Sequence, residues 1–155
     1  MAFEPGDTVV IKDGVYSGQL ELKAIGLRKA QTPGGWTVKA QTPGGVRFNT
    51  PAGSGAIWDW LETPQPVVVE GLVFAHVDHR MTVSPADLIE FYREENRFVF
   101  RDCSFLDAAR NAVSVRGGAQ VTLERCTVAG AKRSRWGGAM VWEPSTTGRR
   151  SPCRP

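Results

Sequence analysis

The chain has 155 residues, of which 23% are charged, 41% are hydrophobic and three are cysteine. That length supports one domain with a sizeable core, and so few cysteines exclude a scaffold stapled by disulfides. The formal net charge of +3 is uneven: beyond Gly130 there are six Lys or Arg against one acidic residue, Glu143, so the preceding body holds 13 basic and 15 acidic residues and nucleic-acid binding is not expected.

Taken in order, Pro5-Gly6-Asp7 opens a turn. Residues 8–12 read as a short strand, closed by the turn chemistry of Asp13-Gly14. Residues 19–25 alternate, with Leu20, Leu22 and Ala24 on one side, and read as a second strand. Then Lys29-Ala30-Gln31-Thr32-Pro33-Gly34-Gly35 recurs as Lys39-Ala40-Gln41-Thr42-Pro43-Gly44-Gly45, two tight turns with short strands at 36–39 and 46–48. A ten-residue period is too short for one turn of a solenoid, so this duplication is read as local. The glycines do not form a phosphate cradle, which needs a following Lys-Ser/Thr and a helix.

The repeating part is expected from Ala56. Residues 97–105 and 120–128 superpose without a gap, 23 residues apart, and residues 66–74 lie 31 before the first of these. Inward positions then form columns: Val67, Phe98, Val121; Val69, Phe100, Leu123; Leu72, Cys103, Cys126; and Phe74, Phe105, Val128. A second series aligns residues 56–61 with 88–93 and 112–116, and residues 138–142 are one further copy. A helix over 85–96 is the alternative there, but Ile89, Phe91 and the column alignment favour a strand. Repetition of this kind marks a stack of units that bury their apolar face only against one another. The fold expected is all-β, a parallel β-helix with three short strands per turn over residues 1–142, incomplete or weakly capped at its ends. Residues 143–155, rich in Ser, Thr, Gly, Arg and Pro, are expected to be a disordered basic tail.

Cys103 and Cys126 share a column, within disulfide reach of each other, but buried thiols used as small apolar groups are the favoured expectation. His76-x-x-His79 with Asp78 is a weak metal pair; histidines making hydrogen bonds are favoured. Trp58 and Trp60 could form a sugar platform, but a core role is favoured. No apolar run is long enough to span a membrane.

Two segments, residues 5–16 and 36–48, followed by the strand at 67–74, resemble the opening of the chondroitinase B and alginate lyase family of β-helical polysaccharide lyases. The resemblance covers residues 5 to about 130. It implies a right-handed, single-stranded, pectin-lyase-like solenoid, secreted or periplasmic, although no signal peptide is read at Met1. It also implies β-elimination on a uronate-containing, anionic polysaccharide. In that chemistry calcium masks the uronate carboxylate, a Lys takes the C5 proton and an Arg assists the leaving oxygen. Carried over by motif, the catalytic candidates are Arg93 and Arg116, the cation ligands Asp87 and Glu90, and the substrate contacts Tyr92, His76 and His79. No Lys stands where the family's base would be, and Arg is a poor base at neutral pH. The chain is therefore either lyase-like with its catalytic turns elsewhere, or a non-catalytic carbohydrate-binding or structural module, with self-association through its uncapped ends.

Overall fold

The computed structural model describes residues 6–21, 35–58, 66–77, 87–91, 97–115, 117–130 and 140–142. Among these residues there are fifteen strands and no helix. The first three are β1 (Thr8–Ile11), β2 (Gly14–Ser17) and β3 (Leu20–Glu21). The next are β4 (Thr37–Ala40), β5 (Val46–Pro51) and β6 (Ile57–Trp58), then β7 (Val67–Glu70), β8 (Leu72–Val77) and β9 (Ile89–Phe91). The last six are β10 (Arg97–Arg101), β11 (Ser104–Leu106), β12 (Val113–Val115), β13 (Gln120–Glu124), β14 (Thr127–Ala129) and β15 (Met140–Trp142).

All the pairings are parallel, and each triplet of strands adds one strand to each of three stacks. The first stack runs β1-β4-β7-β10-β13 and the second β2-β5-β8-β11-β14. The third holds β3-β6 and β9-β12-β15, with the residues just before β6 and β9 linked by the Ala56 N–H, which donates to Leu88 O at 2.6 Å. We call each triplet a tier. This all-β, parallel arrangement is compatible with a β-helix. Between Ala56 and Leu88 the bond shifts the register one residue from the gapless alignment, setting Ala56 against Ile89.

The reason lies in the alternation along each strand. β4, β7 and β10 bury every second residue, and the buried positions of successive tiers fall in register. The column Val69, Phe100, Leu123 begins two tiers earlier, at Val9 and Val38. The column Phe74, Phe105, Val128 begins at Tyr16 and Phe48. Its rings stack, with centroids 5.2 Å apart for Tyr16 and Phe48 and 5.9 Å apart for Phe48 and Phe74 and for Phe74 and Phe105. Such offset ring pairs add to the area they bury. The repeat therefore starts at Thr8, not at Ala56; the second Pro-Gly-Gly, at 43–45, is a corner of it, while residues 31–34 of the first copy lie outside the described residues.

The corner between the first and second stacks is tight. From β7 to β8 it is one residue, Gly71, with φ +72°. The equivalent residues of the next two tiers are Asp102 and Arg125, both with φ +51°. Aspartate tolerates this left-handed region through local hydrogen bonding. At Gly71 a Cβ would meet Pro43 Cα at 3.2 Å, so the close approach also favours glycine. Residues 89–91 form a strand with Ile89 and Phe91 buried and Glu90 exposed, as the column alignment expects. Trp60 and the tail at 143–155 lie outside the described residues.

Candidate functional site

The charged and polar candidates collect where the second stack turns into the third. His76 ends the inward run of β8 and is 2% exposed. Its Nε2 lies 2.8 Å from Ser54 O, and its Nδ1 accepts the Ala109 N–H at 2.8 Å. A carbonyl can only accept, so the ring proton sits on Nε2. One imidazole thus ties the second, third and fourth tiers together. Beside it, in register, Thr50 is fully buried and its hydroxyl donates to Gly18 O at 2.9 Å.

Asp87 sits at the entry to β9, fully buried. Its Oδ1 accepts Arg110 Nε–H at 2.7 Å, Asn111 N–H at 3.1 Å and Asn111 Nδ2–H at 2.9 Å, and its Oδ2 accepts Arg110 Nη2–H at 2.9 Å. Arg110 and Asn111 occupy the same corner one tier on, 23 and 24 residues later, as the bond from Leu88 N–H to Asn111 O requires. Burial pushes the Asp87 carboxyl up, but the Arg110 guanidinium and the Asn111 N–H outweigh it and hold it below the ordinary 3.8. The carboxylate is therefore ionised at neutral pH. The Arg110 side chain keeps 33% of its surface exposed, with the Glu90 carboxylate adding to the field that holds it charged.

Ser114 is the in-register partner of Glu90 and lies between the core residues Val113 and Val115 of β12. It is fully buried, so the outer side of β12 is covered. Its hydroxyl lies beside the Asp87 carboxylate yet completes no well-formed hydrogen bond, and Asn111 Oδ1 is also buried without a partner. Buried polar atoms left this way are uncommon.

Cys103 and Cys126 are both free thiols. Cys103 Sγ donates toward Val69 O at 3.4 Å, and Cys126 Sγ toward Phe100 O at 3.5 Å, each to the strand end of the preceding tier. Burial pushes the Cys103 thiol up to about 12 and raises Cys126 as well. Both are protonated at neutral pH and unsuited to nucleophilic work.

Of the residues expected from the sequence, Asp87, Glu90 and His76 are described; Tyr92, Arg93, His79 and Arg116 lie outside the described residues. Asp87 and Glu90 come together on the third stack, while His76 is engaged with backbone on both ring nitrogens. Arg110, Asn111 and Ser114 were not among the site residues expected from the sequence. The one signal for them was the tier spacing, which carries Asp87 onto Asn111. As ligands for calcium, which takes six to eight oxygens, these residues do not fit: Asp87 is saturated by four donor contacts, and among the described residues no group of three or more His, Cys, Asp or Glu is placed to hold a metal. No helix among them is long and apolar enough to cross a membrane. Comparison with protein-family models, with curated proteins and with solved structures finds no match for this chain.

Proposed function

We propose that this chain is a right-handed, single-stranded parallel β-helix of the pectin-lyase-like kind, and that it engages a uronate-containing polysaccharide of the alginate or dermatan type beside the corner between its second and third stacks. The observation that carries the reading is the fixed Arg110–Asp87 pair at the corner before β9 and β12, with Glu90 exposed on β9; the resemblance sets its candidates Arg93 and Arg116 just after those two strands. Binding stands ahead of turnover. β-Elimination needs a base within reach of the C5 proton, and the lysines among the described residues, Lys12 and Lys39, belong to the first stack and the corner after it. A lyase-like chain whose catalytic turns lie elsewhere, exported to the periplasm or beyond, fits the same reading.

Incubation with alginate, dermatan sulfate and pectate, with and without calcium, tests both parts. Polymer binding without a rise in absorbance from unsaturated uronate supports the module. A calcium-dependent rise that is lost in Arg116→Ala supports elimination by this chain. No binding to any of the three polymers defeats the polysaccharide reading.

Self-association through the ends of the stack belongs to the same proposal. Val9, Ile11 and Tyr16 on the first tier, and Val121, Leu123, Cys126 and Val128 on the last, are inward residues that are only partly buried. Light scattering across a concentration series checks it, since a constant monomer mass would rule it out.

A further inference from the structure

We propose that Arg110 is the group that meets the carboxylate of a sugar-acid ligand, and that Asp87 is its positioning residue; this rests on the polysaccharide reading above. A guanidinium has two edges that can grip a carboxylate with two parallel hydrogen bonds, one through Nε and one Nη, the other through both Nη atoms. Asp87 takes the first edge, with Nε at 2.7 Å and Nη2 at 2.9 Å. The second edge points away from that carboxylate, on a side chain that is 33% exposed. The partner that fixes the plane is itself immobile: Asp87 is fully buried and receives two further bonds from Asn111. An arginine held from beneath in this way loses little freedom when it binds, which is the condition for a preorganised anion contact.

The surroundings choose among anions. Glu90 is exposed on the adjacent strand and close enough to act on the Arg110 charge. A dianion such as phosphate would be repelled by that charge more strongly than a monoanion. A monoanionic carboxylate meets less repulsion there and still accepts the Arg110 fork. A uronate has that chemistry.

The test compares a uronate oligosaccharide with its carboxyl-reduced, neutral counterpart, using the full chain. Wild type is expected to bind the acid about tenfold more tightly, the worth of one good charge-assisted contact. Arg110→Gln should erase that preference, and Arg110→Lys, which keeps the charge but not the fork, should restore only part of it. Asp87→Glu should retain more of the preference than Asp87→Asn at matched thermal stability, which a merely structural role would not produce. A folded Arg110→Gln that still prefers the acid overturns the assignment. Should the variants fail to fold, side-chain nitrogen NMR of the wild type decides, since oligosaccharide binding that leaves the Arg110 resonances unmoved also overturns it. Arg110 resonances that move with free glucuronate while no polymer binds would support the contact and overturn the polysaccharide reading. No response to either probe overturns both.

Discussion

Asp102 and Arg125, 23 residues apart, occupy the same left-handed corner of successive tiers, and the guanidinium closes on the carboxylate through Nε at 2.8 Å and Nη2 at 2.7 Å. The pair borders a column in which charge alternates from tier to tier: Lys39, Glu70, Arg101, Glu124. Arg101 Nε meets Glu124 at 2.6 Å. These groups are well exposed, so their energetic weight is small and salt-dependent. Their use is register, since a chain displaced along the stack would lose opposite charges and meet like ones.

Reversing one charge exposes that role. Glu124→Lys sets a cation against Arg101 and should lower stability by roughly 0.5–1 kcal/mol at low salt, with much of the loss recovered near 1 M salt. Urea unfolding at two ionic strengths measures it, and a loss independent of salt would mean that packing, not charge, is responsible.

Gly71 carries a backbone requirement that its equivalents meet differently. At φ +72°, with Pro43 Cα 3.2 Å from where a Cβ would sit, Gly71→Ala should cost about 1–3 kcal/mol. Asp102→Gly, at the same corner one tier on, removes a side chain from the left-handed region and should be tolerated far better. Equal losses in the two variants would contradict this account of the corner.

The same corner explains what could and could not be read from the sequence. Tiers three to five were legible because the step from the first stack to the second is short in each: Val69 to Leu72, Phe100 to Cys103, Leu123 to Cys126. In the second tier that step runs from Val38 to Val46, because Gln41 to Gly45 form a longer turn. A gapless comparison therefore loses Phe48 and Tyr16, although their rings stack on Phe74. Arg110 was hidden for a different reason. In sequence it is a polar residue in a turn, and its meaning comes from a carboxylate 23 residues earlier that the stacking brings to 2.7 Å. Asp87 had been picked out for its charge, but its burial and its four bonds depend on that same stacking.

Position along the stack should grade the cost of core truncation. Phe74 is fully buried between two rings, and Phe74→Ala should cost about 3–5 kcal/mol. Leu123 holds an equivalent inward place on the last tier but is only partly buried, so Leu123→Ala should cost about 1–2 kcal/mol. Chemical denaturation of the two variants measures the difference. A Leu123→Ala loss as large as that of Phe74→Ala would mean that the end of the stack is covered in solution.

Thiol chemistry offers an independent view of packing. Cys103, pushed up to about 12 by burial, should resist alkylation at pH 8 for as long as the chain stays folded. Cys126, half-buried and raised less far, should react slowly but ahead of it. Both should react at ordinary rates in denaturant. Mass mapping of the alkylated peptides follows each site separately, and rapid labelling of Cys103 in the native chain would show that the fourth tier opens.

The acid limb of stability should carry the signature of Asp87. Its carboxyl titrates below the ordinary 3.8 in the folded chain, because Arg110 and Asn111 more than offset the burial that would raise it. The unfolded chain therefore binds this proton first as pH falls. The stabilisation is fully present above the ordinary carboxylate range, declines as pH drops through it, and is gone once pH passes below the depressed folded value. Asp87→Asn should remove that part of the acid slope. At neutral pH it should also lower stability by about 2–4 kcal/mol, since a buried amide cannot balance the guanidinium or satisfy all four donor contacts. Unfolding free energies measured from pH 7 down to pH 3 for both proteins give the comparison. The two curves should converge toward the acid end, and parallel curves would show that some other carboxylate sets the acid limit.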